Sequence, residues 1–158
     1  MLKWCWVSGF VLVVDQLSKW LANGALGLGE SIGLLPMLAM TKAYNYGAAF
    51  SFLGSASGWQ RWFFIALAIV VCTVLLVWLA RLAQHERRTA LALSLILGGA
   101  IGNLVDRVLY GYVIDFIDVY YQAWHWPTFN VADSAITLGA GLLLLDAFIG
   151  SRQTTGEQ

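Results

Sequence analysis

"FNVADSAITLGAGLLLLDAF", residues 129–148, opens on polar residues and passes without a break into a run apolar enough for a lipid core. Asp133 stands at the seam. A carboxylate at the mouth of a membrane helix is costly, because ionisable groups in spans need a partner or water. The stretch predicts a spanning helix over about 133–150 and a functional entrance to it.

Three more runs meet the requirement of roughly 20 mostly apolar residues, at about 4–22, 60–80 and 89–109. The chain as a whole agrees: 158 residues, 59% hydrophobic and 11% charged, with mean hydropathy +0.71. A soluble domain carries about 25% charged residues. The expected fold is therefore a membrane all-α protein, a four-transmembrane-helix bundle with a small extracytoplasmic β-rich region. It forms a single domain over 1–158, ending in a polar, frayed tail at 151–158. Trp and Tyr are abundant, as interfacial belts require. Zero net charge offers nothing to nucleic acid. Lys3 ahead of the first run resembles the start of a secretory signal, but Asp15, Gln16 and Lys19 interrupt its far half and no small-x-small site follows cleanly. It is read as a retained helix. Cys5 and Cys72 lie in apolar segments without metal-ligand spacing and read as small buried hydrophobes.

Lys3, Arg81, Arg87, Arg88 and Arg152 flank the N-terminus, the middle loop and the C-terminus. With four spans these regions share one side, which the positive-inside rule makes cytoplasmic. The outer side then holds loops at about 23–59 and 110–132, where most motif-like residues fall. In the first, "NGALGLGESIG" (23–33) predicts turns ending near Pro36. "MLAMTKAYNYGAAFSFL" (37–53) predicts short strands, broken at Gly47 by a bulge or a close backbone approach. "GSASGWQRWFF" (54–64) reads as a loop entering the second span. In the second, "YGYVIDFIDV" alternates as a strand does, which puts Asp115 and Asp118 on opposite faces. No Cys/His cluster supports His125 as a metal ligand, and His85 in the cationic middle loop reads as solvated.

The polar residues within this apolar chain need an explanation. In "GGAIGNLVDRV" (98–108), Asn103 and Arg107 are four apart and share a helix face. Gly98, Gly99 and Gly102 admit a second helix at close range. Asp106 and Arg107 diverge by about 100°, so each needs its own partner. Asp15 and Lys19, also four apart, can satisfy each other. Asp146 lies roughly 20 Å along the helix from Asp133 and reads as interfacial. Asp115, just past the third span, and Asp133, at the start of the fourth, fall at similar depth. Two carboxylates held within a few ångströms share a proton. One then acts as base toward water while the other donates to a carbonyl oxygen, the arrangement of the aspartic proteases. The residues alone leave this reading beside a structural or proton-relay role.

Five blocks then carry a resemblance over nearly the whole chain: "DQLSK" (15–19), "NYGAAFSFL" (45–53), "GGAIGNLVDRV" (98–108), "GYVIDFIDV" (111–119) and "FNVADSAI" (129–136). Together the chain resembles the bacterial lipoprotein signal peptidases (signal peptidase II). The resemblance implies an aspartic endopeptidase of the bacterial inner membrane, monomeric, multi-pass, with both termini cytoplasmic. Its partners are then the lipid bilayer and diacylglyceryl-modified prolipoproteins, cut just before the lipidated cysteine. It implies no metal and no other cofactor, and inhibition by globomycin. The family's catalytic aspartates map onto Asp115 and Asp133, its substrate-binding positions onto Asn45, Asn103, Arg107 and Asn130. Asp15, Lys19, Asp106 and Gly47 map onto supporting positions, with Asp106 the leading rival for the pair. Two other classes compete: a proton- or ion-conducting protein whose aspartates form a relay, and a non-catalytic scaffold held by glycine packing.

Overall fold

Four helices carry the chain: α1 (Cys5–Ala25), α2 (Trp59–Arg81), α3 (Arg87–Leu109) and α4 (Val131–Thr154). A single 3-10 turn, Leu2–Trp4, leads into α1. The computed structural model describes residues 1–47 and 58–154. The expected strand residues 48–53, the loop at 54–57 and the last residues of the tail lie outside these. Among the described residues, α2, α3 and the Val131–Phe148 part of α4 are both long and apolar enough to cross a membrane. The expected span over 133–150 starts two residues earlier, and its helix runs on to Thr154, through the first half of the tail expected to fray. Ser151–Thr154 contains no Pro or Gly to stop it.

α1 is built inside out. Asp15 and Lys19 are buried, whereas Trp6, Phe10, Val13, Leu17, Trp20 and Leu21 are exposed. A soluble helix shows the reverse pattern; this one suits an apolar surround.

α3 packs on α1, α2 and α4, and its glycines make that possible. A Cβ on Gly98 would sit 2.8 Å from the Ser8 carbonyl oxygen and 2.8 Å from Val11 Cβ, both on α1. On Gly99 it would collide with the Ala132 carbonyl oxygen of α4, and on Gly102 with the Asp15 carboxylate. Gly139 of α4 returns the contact, sitting against the Ala92 carbonyl oxygen. Lipid gives helices little hydrophobic reason to associate, so close van der Waals packing has to hold them. On the remaining α3 face, Leu93 and Leu97 join Cys72, Leu75 and Leu79 of α2 in a buried cluster.

A four-stranded antiparallel sheet, β1 (Ser31–Leu35), β2 (Leu38–Asn45), β3 (Val113–Tyr121) and β4 (Trp124–His125), lies at the end of the bundle where α1 and α3 finish. Residues 31–33 were expected to turn; they pair with β2 instead. The turn comes earlier, over Gly27–Glu30, and again at Pro36–Met37, where proline presets φ and Met37 takes φ 69°. Between those turns, pairing with β2 satisfies the backbone amides of β1. The register slips fall between Gly33 and Leu35 and between Met40 and Ala43, not at Gly47. Gly111, at φ 86°, ends α3 in the left-handed region that glycine favours. Arg61 donates to the Arg107 and Val108 carbonyl oxygens at 2.9 and 2.8 Å, satisfying acceptors that the helix end leaves open.

Gly99→Ala should destabilise the protein by about 1–3 kcal/mol, the usual cost of overpacking. Gly9→Ala should be neutral or mildly stabilising, because nothing lies within 4 Å of its added Cβ and Ala is the better helix former. Thermal unfolding in one detergent compares them; equal losses would sink the glycine-contact account of the bundle.

Candidate active site

The start of α4 supplies the site with its framework. A helix N-terminus leaves amides without partners. Here Asn130 Oδ1 accepts the Asp133 N–H at 2.9 Å, as an N-cap does. Asp15 reaches across from α1 to accept the Ala132 N–H at 2.8 Å. Asp133 therefore sits in the first turn, where the helix dipole favours a negative charge.

β3 brings Asp115 to the same place. Asn130 Nδ2 donates to Asp115 Oδ1 at 2.7 Å, so one side chain links the two aspartates. Asp115 pairs in register with Ala43 of β2, and Asn45, two residues on, also hydrogen-bonds its carboxylate. Asp133 Oδ1 accepts from Asn103 Nδ2 at 2.8 Å. Asp115 is 2% exposed. Burial first, and the Asp133 charge second, push its pKa up to about 7, against the Asn130 and Asn45 hydrogen bonds and the Lys19 charge. One carboxyl of this pair can thus hold a proton near neutrality.

Arg107 closes another side. Its guanidinium donates to the Gly47 carbonyl oxygen at 2.9 Å and lies 5.2 Å from the centre of the Phe64 ring. The Gly47 N–H donates in turn to Asn45 Oδ1 at 3.0 Å. Asn45, Asn103, Arg107 and Asp133 line a cleft of about 680 Å³, and Trp126, Pro127, Phe129, Ile136 and Leu138 give it apolar walls. Thr137, on the Asp133 face of α4, also lines it, as does the adjacent Ser134. Sequence reasoning passed over both, although i+4 spacing from Asp133 marks Thr137.

Behind the cleft, Lys19 is 2% exposed. Its ammonium lies 2.8 Å from Asp15 and 3.0 Å from Asp106. Asp106, the rival for the pair, is engaged here: it also accepts the Ile114 N–H at 3.0 Å and Gln16 Nε2 at 2.8 Å. The structure brings Asp106 to Lys19 and Asp115 to Asp133. Gln16 is a further residue that sequence reasoning undervalued; its only signal was polarity inside an apolar run.

The remaining candidates lie elsewhere. Asp118 accepts from Thr41 Oγ1 at 2.8 Å and pairs with His125 Nδ1 at 3.0 Å, on the sheet. His125 thus has a carboxylate partner, and no group of three or more metal-ligating side chains occurs among the described residues. Asp146 accepts from Thr89 Oγ1 at 2.7 Å, so it is hydrogen-bonded to α3 rather than simply interfacial. His85 is exposed and Cys72 buried, while Cys5 is only half-buried.

Comparison with known proteins bears on what this site is. The profile of the signal peptidase (SPase) II family matches residues 7–149. The lipoprotein signal peptidase of Shewanella loihica is 51% identical over 156 residues, covering 99% of this chain and 92% of that protein. That of Pseudomonas fluorescens is 53% identical over 158 residues, with the same coverage of each. A bacterial membrane enzyme solved by the in meso method at 2.3 Å resolution superposes with a TM-score of 0.85 at 31% identity, covering 99% of this chain and 92% of that one. With its membrane-grade helices and its cleft between Asn103, Arg107 and Asp133, the chain belongs to the signal peptidase II family.

Proposed function

We propose that this protein is an aspartic endopeptidase that removes the signal peptide from diacylglyceryl-modified bacterial prolipoproteins, cutting immediately before the lipidated cysteine. The observation that carries the reading is the Asp115–Asn130–Asp133 linkage, whose Asp133 lines a cleft with mostly apolar walls. Such a cleft suits a substrate that is itself apolar but offers one polar bond to be cut.

Asp133, which lines the cleft and accepts from Asn103, is the base. Asp115, protonated below about pH 7, is the acid. Asp133 takes a proton from water as the oxygen attacks the scissile carbonyl carbon, and Asp115 gives its proton to the carbonyl oxygen. The tetrahedral diol then collapses: Asp115 recovers a hydroxyl proton, the C–N bond breaks, and Asp133 passes its proton to the leaving nitrogen. Asn45, Asn103, Arg107 and Asn130 hold peptide carbonyls and the developing charge. Asp15, Lys19, Asp106 and Gly47 support that arrangement from behind.

In topology, α1 is the fourth span. Its exposed apolar residues and buried Asp15 and Lys19 support that placement. The basic residues Lys3, Arg81, Arg87, Arg88 and Arg152 put both termini in the cytoplasm, so sheet and cleft lie at the extracytoplasmic face of the inner membrane. The enzyme acts as one domain and as a monomer.

Asp115→Asn and Asp133→Asn should each lower cleavage of a diacylglyceryl-modified prolipoprotein by about 10²–10⁴-fold or more, the range of general acid–base loss, while each variant still elutes as folded protein. Full activity in either variant removes that residue from the mechanism, and Asp106→Asn becomes the next test. The pH dependence has a definite sign. The Asp115 pKa is raised, so its proton persists above the usual carboxylate range and is lost as pH rises through about 7. Activity should therefore decline above about pH 7, by roughly tenfold per unit for one lost proton; a rate still climbing at pH 9 in fixed detergent and substrate would contradict Asp115 as the acid.

A further inference from the structure

A carboxamide can present either its oxygen or its NH2 group, and the two ends do opposite things to a neighbouring carboxylate. Three asparagines face the Asp115–Asp133 pair, and each is held by its oxygen. Asn45 Oδ1 accepts from the Gly47 N–H at 3.0 Å, and Asn130 Oδ1 from the Asp133 N–H at 2.9 Å. Asn103 Oδ1 accepts from Lys19 Nζ at 3.0 Å. Backbone amides and an ammonium donate only, so every one of these amides is forced to turn its NH2 group the other way. Asn103 then donates to Asp133 and Asn130 to Asp115. Two of the three oxygens are held by the backbone. Asn103 Oδ1 also accepts from Asn130 Nδ2 at 3.3 Å, so Lys19, at the shorter distance, is the one charged side chain among the holders.

We infer that Lys19 is a positioning residue for the reaction: its ammonium locks the Asn103 amide so that the NH2 group serves Asp133. This rests on Asp115 and Asp133 being the reacting pair. The three ammonium protons have three acceptors in Asp15 on the same helix, Asp106 on α3 and the Asn103 oxygen. Arg107 of α3, Asp115 of β3 and Asp133 of α4 complete the charged groups around this network. A flipped Asn103 would point its oxygen at the Asp133 carboxylate and its NH2 group at the ammonium, losing the bonds to Lys19, Asn130 and Asp133 and setting like against like at both ends.

Two substitutions separate this role from simple support of the fold. Lys19→Met and Lys19→Gln both leave Asp15 and Asp106 without a cation, so both should lose thermal stability to a similar extent. Only Gln can donate to Asn103. Per folded molecule, with a diacylglyceryl-modified prolipoprotein peptide, Lys19→Met should lose about 100-fold in kcat with KM within threefold. Lys19→Gln should recover at least tenfold of that kcat without recovering Tm. A purely structural lysine predicts that both variants share one Tm loss and keep the parent kcat. That outcome, or a Gln variant no faster than the Met variant, overturns the inference. If the single variants do not fold, the same pair is compared with Asp106→Asn added, which keeps the parent's buried net charge. Asp115→Asn and Asp133→Asn run alongside: activity in those would sink the reacting pair itself, whereas their inactivity with an unaffected Lys19→Met would sink Lys19 alone.

Discussion

The structure depends on one buried ammonium. Lys19 has almost no exposure, and an ion taken from water into such surroundings costs several kcal/mol unless it is well paired. Two carboxylates against one ammonium satisfy it and leave a negative charge in excess. That excess is placed usefully. Asp15 spends its other oxygen on the Ala132 N–H, at the positive end of the α4 dipole. Asp106 accepts the Ile114 N–H at the start of β3. One ion cluster thereby sets the relative depth of α1, α3, β3 and α4, and so the depth at which Asp115 and Asp133 meet.

Such a cluster needs backbones that come close together. Gly98 and Gly102 face α1, and Gly99 faces α4, each where a Cβ would strike the neighbour. The polar cluster and the glycine contacts are thus two parts of one solution. Without the close approach Asp15 could not reach Ala132. Without the ion pairing, the close approach would bury charges that nothing compensates. This also answers the scaffold reading, which accounts for the glycines and leaves Asn45, Asn103 and Asn130 unexplained.

What could be read from the sequence divides along a physical line. Helices were legible because hydropathy over some twenty residues is a local signal, and all four ended within a few residues of expectation. Asp15 with Lys19, and Asn103 with Arg107, were legible because i,i+4 spacing fixes a shared helix face. Residues 31–35 were not legible as a strand, because their glycine-rich approach resembles a turn and only pairing with β2 decides the matter. The same limit hid Asp106. Adjacency to Arg107 showed that it needed its own partner, but the partner lies 87 positions away on another helix. Nor could the link through Asn130 be seen, since one end of that amide answers to a helix terminus and the other to a strand. Resemblance to a family named the residues; the geometry supplies the reason they sit together.

The relay reading fails on spacing rather than on residue type. A proton moves along a chain of groups at hydrogen-bond distance, so a conduit needs ionisable or hydroxyl groups stepped through the membrane depth. Here Asp15, Asp106, Asp115 and Asp133 gather at one end of the bundle. The next acid on α4 is Asp146, thirteen residues further and roughly 20 Å along the axis, where it is hydrogen-bonded to Thr89. Between them α4 carries no ionisable side chain, only Ser134 and Thr137 near the Asp133 end. Ser134 is itself turned back onto the Asn130 carbonyl. On the facing stretch of α3, residues 92–102 are Ala, Leu, Ser, Leu, Ile, Leu, Gly, Gly, Ala, Ile and Gly. Ser94 is the one hydroxyl in that stretch and no residue of it is ionisable, so a proton released at Asp133 has acceptors in the cleft and no ionisable group along these stretches of α3 and α4 before Asp146. Acids grouped beside a cavity, with apolar packing beneath them, can hand a proton back and forth to something bound there; they cannot send it through.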